Sequence, residues 1–319
     1  MIVKLYKSNL SVGLILIPII VTILCLPLFI NTVQPESYFY IWQQPIFDFV
    51  LEIPLLNFIL SIFILILNSA LISQSFNKTV FFSKTTYLPS IIYIVLVSFM
   101  DTIQFSPILI IHLLTIIVFN QLIKLNVNDS ALHIAFKTGL LIGVMGCFNL
   151  LYSFFIFALL IGIYILQSFK LRETIISLLG LSIPLIYLFS SQYIFNNSNF
   201  DLGAFNTELD KGSQVHLVNY IQIICIGMVS LVSLKMMFTF NNHNSISIKK
   251  QISIITIALI ISVGFFAFNY YNFNTFNFLF VIPLSFVTSI AGFSSQNYTL
   301  LSLLLTISLI VNIVSLFIT

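Results

Sequence analysis

The longest uncharged stretch of the chain extends from Gln251 to Thr319, and a second one extends from Thr138 to Phe169. About 20 apolar residues cross the hydrocarbon of a bilayer as one helix, so each stretch is longer than a single crossing requires. Only 7% of the residues are charged, against about 25% in soluble domains, which is too few to cover a core with a polar surface. The stretches lack the alternation of barrel strands. They therefore predict an all-α transmembrane helical bundle.

Polar or charged breaks divide the chain into about eleven expected spans. The first eight cover approximately residues 9–31, 53–75, 86–100, 107–123, 131–147, 150–168, 174–195 and 216–237. Three more follow Gln251, with turns expected at residues 269–277 and 292–297. No internal repeat, heptad pattern or low-complexity tail is apparent, so we expect one integral membrane domain over residues 1–319.

The basic residues predict which way the bundle is oriented. With a cytoplasmic N-terminus, every Lys and Arg except Lys211 falls on the cytoplasmic face, whereas most acids fall on the other face. Cytoplasmic loops are enriched in Lys and Arg. The apolar run after Lys4 and Lys7 is too long for a signal-peptide core and has no small-x-small cleavage site. We therefore expect an uncleaved first helix with its N-terminus in the cytoplasm.

The outward loop at residues 31–54 is the first long break in the apolar sequence. It carries Glu36, Asp48 and Glu52 and the single tryptophan, Trp42. Its aromatic and polar pattern over Tyr38–Val50 predicts a short helix lying in the membrane interface. If the chain catalyses a reaction, we expect the chemistry at this loop.

Asp48 and Asp101 both lie where an apolar span is expected to meet the outer water layer. A partly desolvated carboxylate has a raised pKa and could act as a general base, and Glu36 is a third candidate of this kind. The alternative is that these acids only mark the boundary between the chain and water.

The remaining polar residues predict structural roles. His112, inside the fourth span, is expected to be a hydrogen-bonded packing residue, because no other His or Cys lies at ligand spacing from it. His133 and Lys137 share one helical face near a cytoplasmic end, where a lysine can reach the interface. Glu173 is expected in the first turn of a helix, where a carboxylate is favoured.

Two small-residue patterns also predict packing. Gly139, Gly143 and Gly146 indicate a close helix–helix contact. The three cysteines fit no metal site and are expected to be small buried apolar residues. No basic cluster with interleaved aromatic residues indicates nucleic-acid binding.

Two stretches, KTTYLPSIIY at 84–93 and FKLRETIISLLGLSIP at 169–184, carry a resemblance to a known family. They resemble a family of multi-span membrane proteins from Bacteroidetes-type bacteria, catalogued as a domain of unknown function. This resemblance implies an inner-membrane location and no particular activity.

A looser resemblance is to the GT-C class of membrane glycosyltransferases, which combine an inside N-terminus with acids in the first two outer loops. It implies a polyprenyl-phosphate-linked sugar as the donor, with Asp48 or Glu36 as the first acid and Asp101 as the second. Trp42 and Lys211 would contact the substrate. The chain departs from the class because its first loop lacks an adjacent acidic pair and its outer face offers only Lys211 to donor phosphate.

The alternative is a non-enzymatic transporter, or a scaffold that binds another membrane protein of an envelope assembly. A transporter is expected to have polar residues at mid-membrane and broken helices, for which His112, Pro184 and Pro283 are the candidates. A scaffold is expected to have small residues at its helix interfaces. The residues leave any cofactor unknown, and membrane lipid is the one partner expected in every case.

Overall fold

The computed structural model describes residues 11–30, 44–79, 85–99, 103–124, 131–148, 150–167, 171–195, 217–242, 245–268, 278–294 and 298–318. Within these ranges every regular element is a helix. The α-helices are α1 Ser11–Cys25, α2 Pro27–Ile30, α3 Gln44–Glu52, α4 Pro54–Asn77, α5 Leu88–Val97, α6 Pro107–Lys124, α7 Ala131–Phe148, α8 Ile156–Gln167, α9 Leu171–Phe195, α10 Leu217–Asn242, α11 Ile246–Phe268, α12 Val281–Ser294 and α13 Tyr298–Ile318. Short 3-10 helices at Leu150–Phe155 and Phe278–Phe280 precede α8 and α12. The predicted all-helical fold is confirmed for the described residues.

Each expected span contains a described helix. The expected turn at residues 269–277 lies outside the described residues, and the expected turn at 292–297 begins within α12, which ends at Ser294. The uncharged stretch from Thr138 to Phe169 is divided at Phe148, where α7 ends before a 3-10 helix. Proline begins several helices, as at Pro54 and Pro107, because its missing N–H needs no partner in the first helical turn.

Two helices among the described residues are long and apolar enough to cross a membrane, Pro54–Asn77 and Leu171–Ser191. The other apolar helical stretches found among them are shorter, with 10–17 residues each, although several of the helices that contain them are longer. Length and composition alone therefore single out α4 and most of α9, and they leave the expected number of eleven spans as a prediction.

The centre of the bundle is formed by two short helices, α5 and α12. All ten residues of α5 are buried, and α12 is buried from Val281 to Gly292. The two helices pack against each other, and α4, α10 and α13 surround them. At 1.5 Å per residue their lengths are about 15 and 21 Å, short of the hydrocarbon thickness of about 30 Å. The middle of the bundle is thus built from helices shorter than a full crossing.

Four phenylalanines join helices from distant parts of the chain beside this centre. The ring of Phe119 on α6 stacks on Phe286 of α12, with centroids 5.9 Å apart, and lies 6.2 Å from the ring of Phe155. Phe286 also contacts Phe76 of α4 at 5.9 Å. Aromatic pairs at such distances add to the stability given by burial. This cluster holds α4, α6 and α12 together.

The closest helix pair is α7 with α9. A Cβ added to Gly143 would lie 2.6 Å from the Leu181 carbonyl oxygen, and one added to Gly180 would lie 2.5 Å from the Phe136 carbonyl oxygen. A Cβ on Gly139 would collide with the Ser177 carbonyl oxygen. The expected close packing at these glycines is confirmed.

The same contacts establish the relative direction of α7 and α9. Gly139 faces Ser177, Gly143 faces Leu181, and a Cβ on Gly146 would reach Leu185. The residue numbers rise together along both helices, so α7 and α9 run parallel. The chain must therefore return between them, which it does through α8.

The face of α9 that points away from α7 is apolar and exposed. Its exposed residues include Leu171, Ile175, Leu178, Leu179, Ile183, Ile186 and Ile194. Soluble monomers rarely expose apolar patches of this extent. The surface of the bundle is thus apolar on a helix that is long enough to cross a membrane.

Candidate functional site

One end of the bundle, which we call the α3 end, joins α3 to the segment that leads into α6. The ring of Phe47 on α3 stacks on Phe105, with centroids 5.4 Å apart. The backbone N–H of Phe105 donates a hydrogen bond of 2.9 Å to Asn57 Oδ1, and the Ser61 hydroxyl donates to the same oxygen at 3.2 Å. Asn57 and Ser61 are buried. These contacts hold the start of α6 against the first turns of α4.

The α3 end involves the segments that carry two of the predicted acids. Asp48 follows Phe47 directly and lies within α3, but its side chain is outside the described part of the structure. Asp101 lies four residues before Phe105 and is itself outside the described residues, as are Glu36, Trp42 and Lys211. The structure therefore brings together Phe47 and Phe105, the described neighbours of two acids, and leaves the predicted site residues untested.

A second polar group lies in the interior, between α4, α5 and α6. Asn68 donates through Nδ2 to the Tyr93 hydroxyl at 3.2 Å and to the Leu109 carbonyl oxygen at 3.0 Å. The Tyr93 hydroxyl lies 3.0 Å from His112 Nδ1, and the two rings meet edge to face at 5.8 Å. We call Asn68, Tyr93 and His112 the interior triad. It joins three helices through two contacts between side chains and one hydrogen bond to a backbone carbonyl.

All three residues of the interior triad are fully buried, at 0% exposure. Asn68 lies about 21 Å along α4 from Pro54, at 1.5 Å per residue, and Tyr93 lies in the middle of α5. Polar side chains deep inside an apolar bundle are expensive to bury without partners. His112 is hydrogen-bonded within the bundle, as its sequence position predicted.

Two further hydrogen bonds join distant segments. The Asn312 amide on α13 donates to the Ser98 hydroxyl at 2.8 Å, which ties the last helix to the end of α5. Asn77 exchanges two hydrogen bonds with the backbone of Thr86, at 3.0 and 3.2 Å, and so closes the connection between α4 and α5. Both contacts stabilise the ends of the central helix α5.

The remaining predicted polar residues lie on the helices where they were expected. His133 and Lys137 are exposed on α7. Glu173 lies in the first turn of α9, as predicted, and is buried. Cys25 is buried and Cys147 and Cys225 are partly buried, all three as free thiols. No group of three or more His, Cys, Asp or Glu side chains suited to a metal ion occurs among the residues that the structure describes.

Sequence reasoning found His112 but did not find its partners Asn68 and Tyr93, nor Asn57 at the α3 end. A signal was available, because Asn57 and Asn68 are polar side chains within one predominantly apolar stretch, and Tyr93 lies within another. Polar residues inside membrane spans are costly and usually face the bundle interior. What the pattern lacked was the partner of each residue, since these lie 19 to 48 positions away along the chain.

Comparison with known proteins adds no relative to these geometric observations. The chain matches no family model, no curated protein and no solved structure.

Proposed function

We propose that the chain is a multi-pass membrane protein that crosses a bacterial inner membrane about eleven times, with its N-terminus in the cytoplasm. Three observations support this topology. A helix occurs in each expected span, the parallel pair α7 and α9 is separated by one returning helix, and α9 exposes a continuous apolar face. The distribution of Lys and Arg supports the orientation.

Reporter fusions at successive loops test this topology. We expect a periplasmic reporter such as alkaline phosphatase to be active after residues 200 and 272, and a cytoplasmic reporter such as green fluorescent protein to fluoresce after residues 127 and 243. Residues 127 and 200 are expected on opposite sides because an odd number of expected spans lies between them, and each span carries the chain across the membrane. The same side reported at residues 127 and 200 would contradict the expected number of spans between them.

For the activity, we propose transfer of a sugar from a polyprenyl-phosphate donor at the outer face. The observation that carries the proposal is the contact between Phe47 and Phe105, reinforced by the hydrogen bond from the Phe105 N–H to Asn57. These contacts join α3, which bears Asp48, to the segment that follows Asp101. An acid from either of two separate loops could thereby serve one reacting centre, and general-base catalysis beside a lipid-linked donor requires one such carboxylate.

In the proposed step a carboxylate, Asp48 or Asp101, removes the proton of an acceptor hydroxyl. The hydroxyl oxygen forms a bond to the anomeric carbon of the sugar, and the bond from that carbon to the phosphate oxygen breaks. Polyprenyl phosphate leaves with the electron pair. Trp42 would pack against the lipid or sugar at the interface, Lys211 would pair with the phosphate, and Glu36 is the further candidate base.

Replacement of both aspartates tests the proposal. We express the double variant Asp48→Asn, Asp101→Asn as the only copy of the chain. The rate of sugar transfer should fall about 100-fold or more, because general bases contribute about 10²–10⁴-fold to rates. The measurement is surface glycan, by lectin binding, at equal amounts of membrane-inserted protein. Glu52→Gln is the matched control, an exposed acid of α3 with no assigned role. Unchanged glycan in the double variant would end the transferase proposal.

Transport is the second candidate, and the interior triad together with the short central helices favours it. Transporters place polar residues and discontinuous helices near the middle of the membrane, and α5 with Tyr93 has this character.

A scaffold for another membrane protein is the third candidate. Purification in mild detergent distinguishes the scaffold from the transferase. A scaffold would retain a stable partner, whereas a transferase would bind a polyprenyl-phosphate sugar as an isolated chain.

A further inference from the structure

We propose that the interior triad is a proton-binding site: His112 takes up a proton on Nδ1, and this uptake breaks the hydrogen bond that joins α4 to α6. The triad lies apart from the α3 end, so the inference is independent of sugar transfer. If the chain is a transporter, the proton bound at His112 would be its coupling ion. Only this coupling role rests on the transport candidate, and proton binding itself does not.

The hydrogen bonds of the triad have one consistent direction. Only the N–H end of the Asn68 amide can bond the Leu109 carbonyl oxygen, which is 3.0 Å from Nδ2. The same Nδ2 therefore donates to the Tyr93 oxygen. The buried hydroxyl hydrogen of Tyr93 needs an acceptor, and His112 Nδ1 lies 3.0 Å away. Nδ1 thus carries no hydrogen, and His112 is neutral with its hydrogen on Nε2.

Protonation of Nδ1 reverses one of these bonds. The new N–H must donate to the Tyr93 oxygen, so the hydroxyl hydrogen has to find a different acceptor. The Oδ1 atom of Asn68 is buried and accepts no hydrogen bond, and it belongs to the amide that already contacts Tyr93. Rotation of this amide satisfies the hydroxyl but removes Nδ2 from the Leu109 carbonyl. The proton on His112 is thereby linked to the contact between α4 and α6.

The helices around the triad bring few other ionisable groups to it. Neither α4 nor α12 contains one, and Tyr93 is the only one on α5. Thr115 of α6, one turn from His112, contacts Met145 of α7. The exposed His133 and Lys137 lie toward the opposite end of α7. The other ionisable residues on helices packed around the triad are Cys25 of α1, Asp48 and Glu52 of α3, Lys124 of α6, Cys147 of α7 and Tyr298 of α13. Lys124 is about 18 Å along α6 from His112.

Nitrogen NMR of the histidine ring in lipid nanodiscs tests the proposal directly. The chain has four histidines, and the variant His133→Gln, His216→Gln, His243→Gln retains His112 alone. At about pH 8 we expect Nε2 protonated and Nδ1 unprotonated, because the Tyr93 hydroxyl donates to Nδ1. Burial disfavours the charged imidazolium, so the pH is lowered stepwise to the lowest value at which the protein stays folded. There we expect both nitrogens protonated, together with a shifted Asn68 side-chain amide signal.

Two further variants make the outcome decisive. Tyr93→Phe removes the hydroxyl that donates to Nδ1, so we expect both neutral tautomers at high pH and an Asn68 signal that no longer depends on pH. In wild-type protein the His112 signals are those absent from His112→Asn, which provides the same measurement if the triple variant folds poorly. A proton on Nδ1 at high pH, or an Nδ1 that remains unprotonated at low pH in folded protein, would overturn the proposal.

Discussion

Replacing Gly139 by valine is expected to lower the free energy of unfolding by about 3 kcal/mol, at the upper end of the usual cost of overpacking. A Cβ at this position would collide with the Ser177 carbonyl oxygen, which belongs to the backbone of α9 and cannot rotate away. Relief therefore requires α7 and α9 to separate along their closest contact. Thermal unfolding in detergent should show a midpoint lower by about 5–10 °C.

Gly264→Ala is the matched control for this prediction. Gly264 is also inside a long helix, α11, but a Cβ added there meets nothing within 4 Å. Alanine favours helix more than glycine does by about 1 kcal/mol, so this variant should unfold at the same or a slightly higher temperature. Equal midpoints for Gly139→Val and wild type would show that α7 and α9 are not packed through these glycines.

Phe119→Ala is expected to cost about 3–5 kcal/mol, the usual range for truncating a buried phenylalanine. Phe119 is 0% exposed and contacts Phe286 and Phe155, so alanine would leave a cavity between α6 and α12. The loss does not depend on transfer from water, because the lost dispersion contacts are within the bundle. The same thermal unfolding measurement applies.

Phe63→Ala serves as the control for Phe119→Ala. Phe63 lies on α4, the same helix as Phe76 of the aromatic cluster, but its side chain is 61% exposed. Its truncation removes little packing, and we expect a change below about 0.5 kcal/mol. Similar losses from both variants would indicate that the contacts of Phe119 contribute nothing beyond general apolar character.

Most of the secondary structure could be predicted from the sequence, because uninterrupted apolar stretches and their polar breaks mark where helices begin and end. The break at residues 146–149 correctly divided one long stretch into α7 and the elements after it. The sequence also predicted a close helix contact at Gly139 and Gly143, because only small residues permit such a contact. The helix that forms the other side of this contact, α9, could not be predicted from spacing.

The candidate sites divide in the same way. His112 was recognised as a hydrogen-bonded residue from its position inside an apolar span. Its partners Tyr93 and Asn68 are on other helices, and their convergence depends on how α4, α5 and α6 pack. The contact between Phe47 and Phe105 likewise depends on the folding of α3 onto the start of α6. The proposed acids Asp48 and Asp101 remain predictions of the sequence.

The sequence by itself determined that the described residues are helical and approximately where their helices lie, because backbone polarity and apolar length act locally along the chain. Only the tertiary structure decided that the short helices α5 and α12 occupy the centre, and that Asn68, Tyr93 and His112 meet there. The sequence patterns of apolar helices with similar composition do not show which helix packs against which. The arrangement depends on side-chain shape and on single hydrogen bonds between residues far apart in sequence, which cannot be predicted from local periodicity.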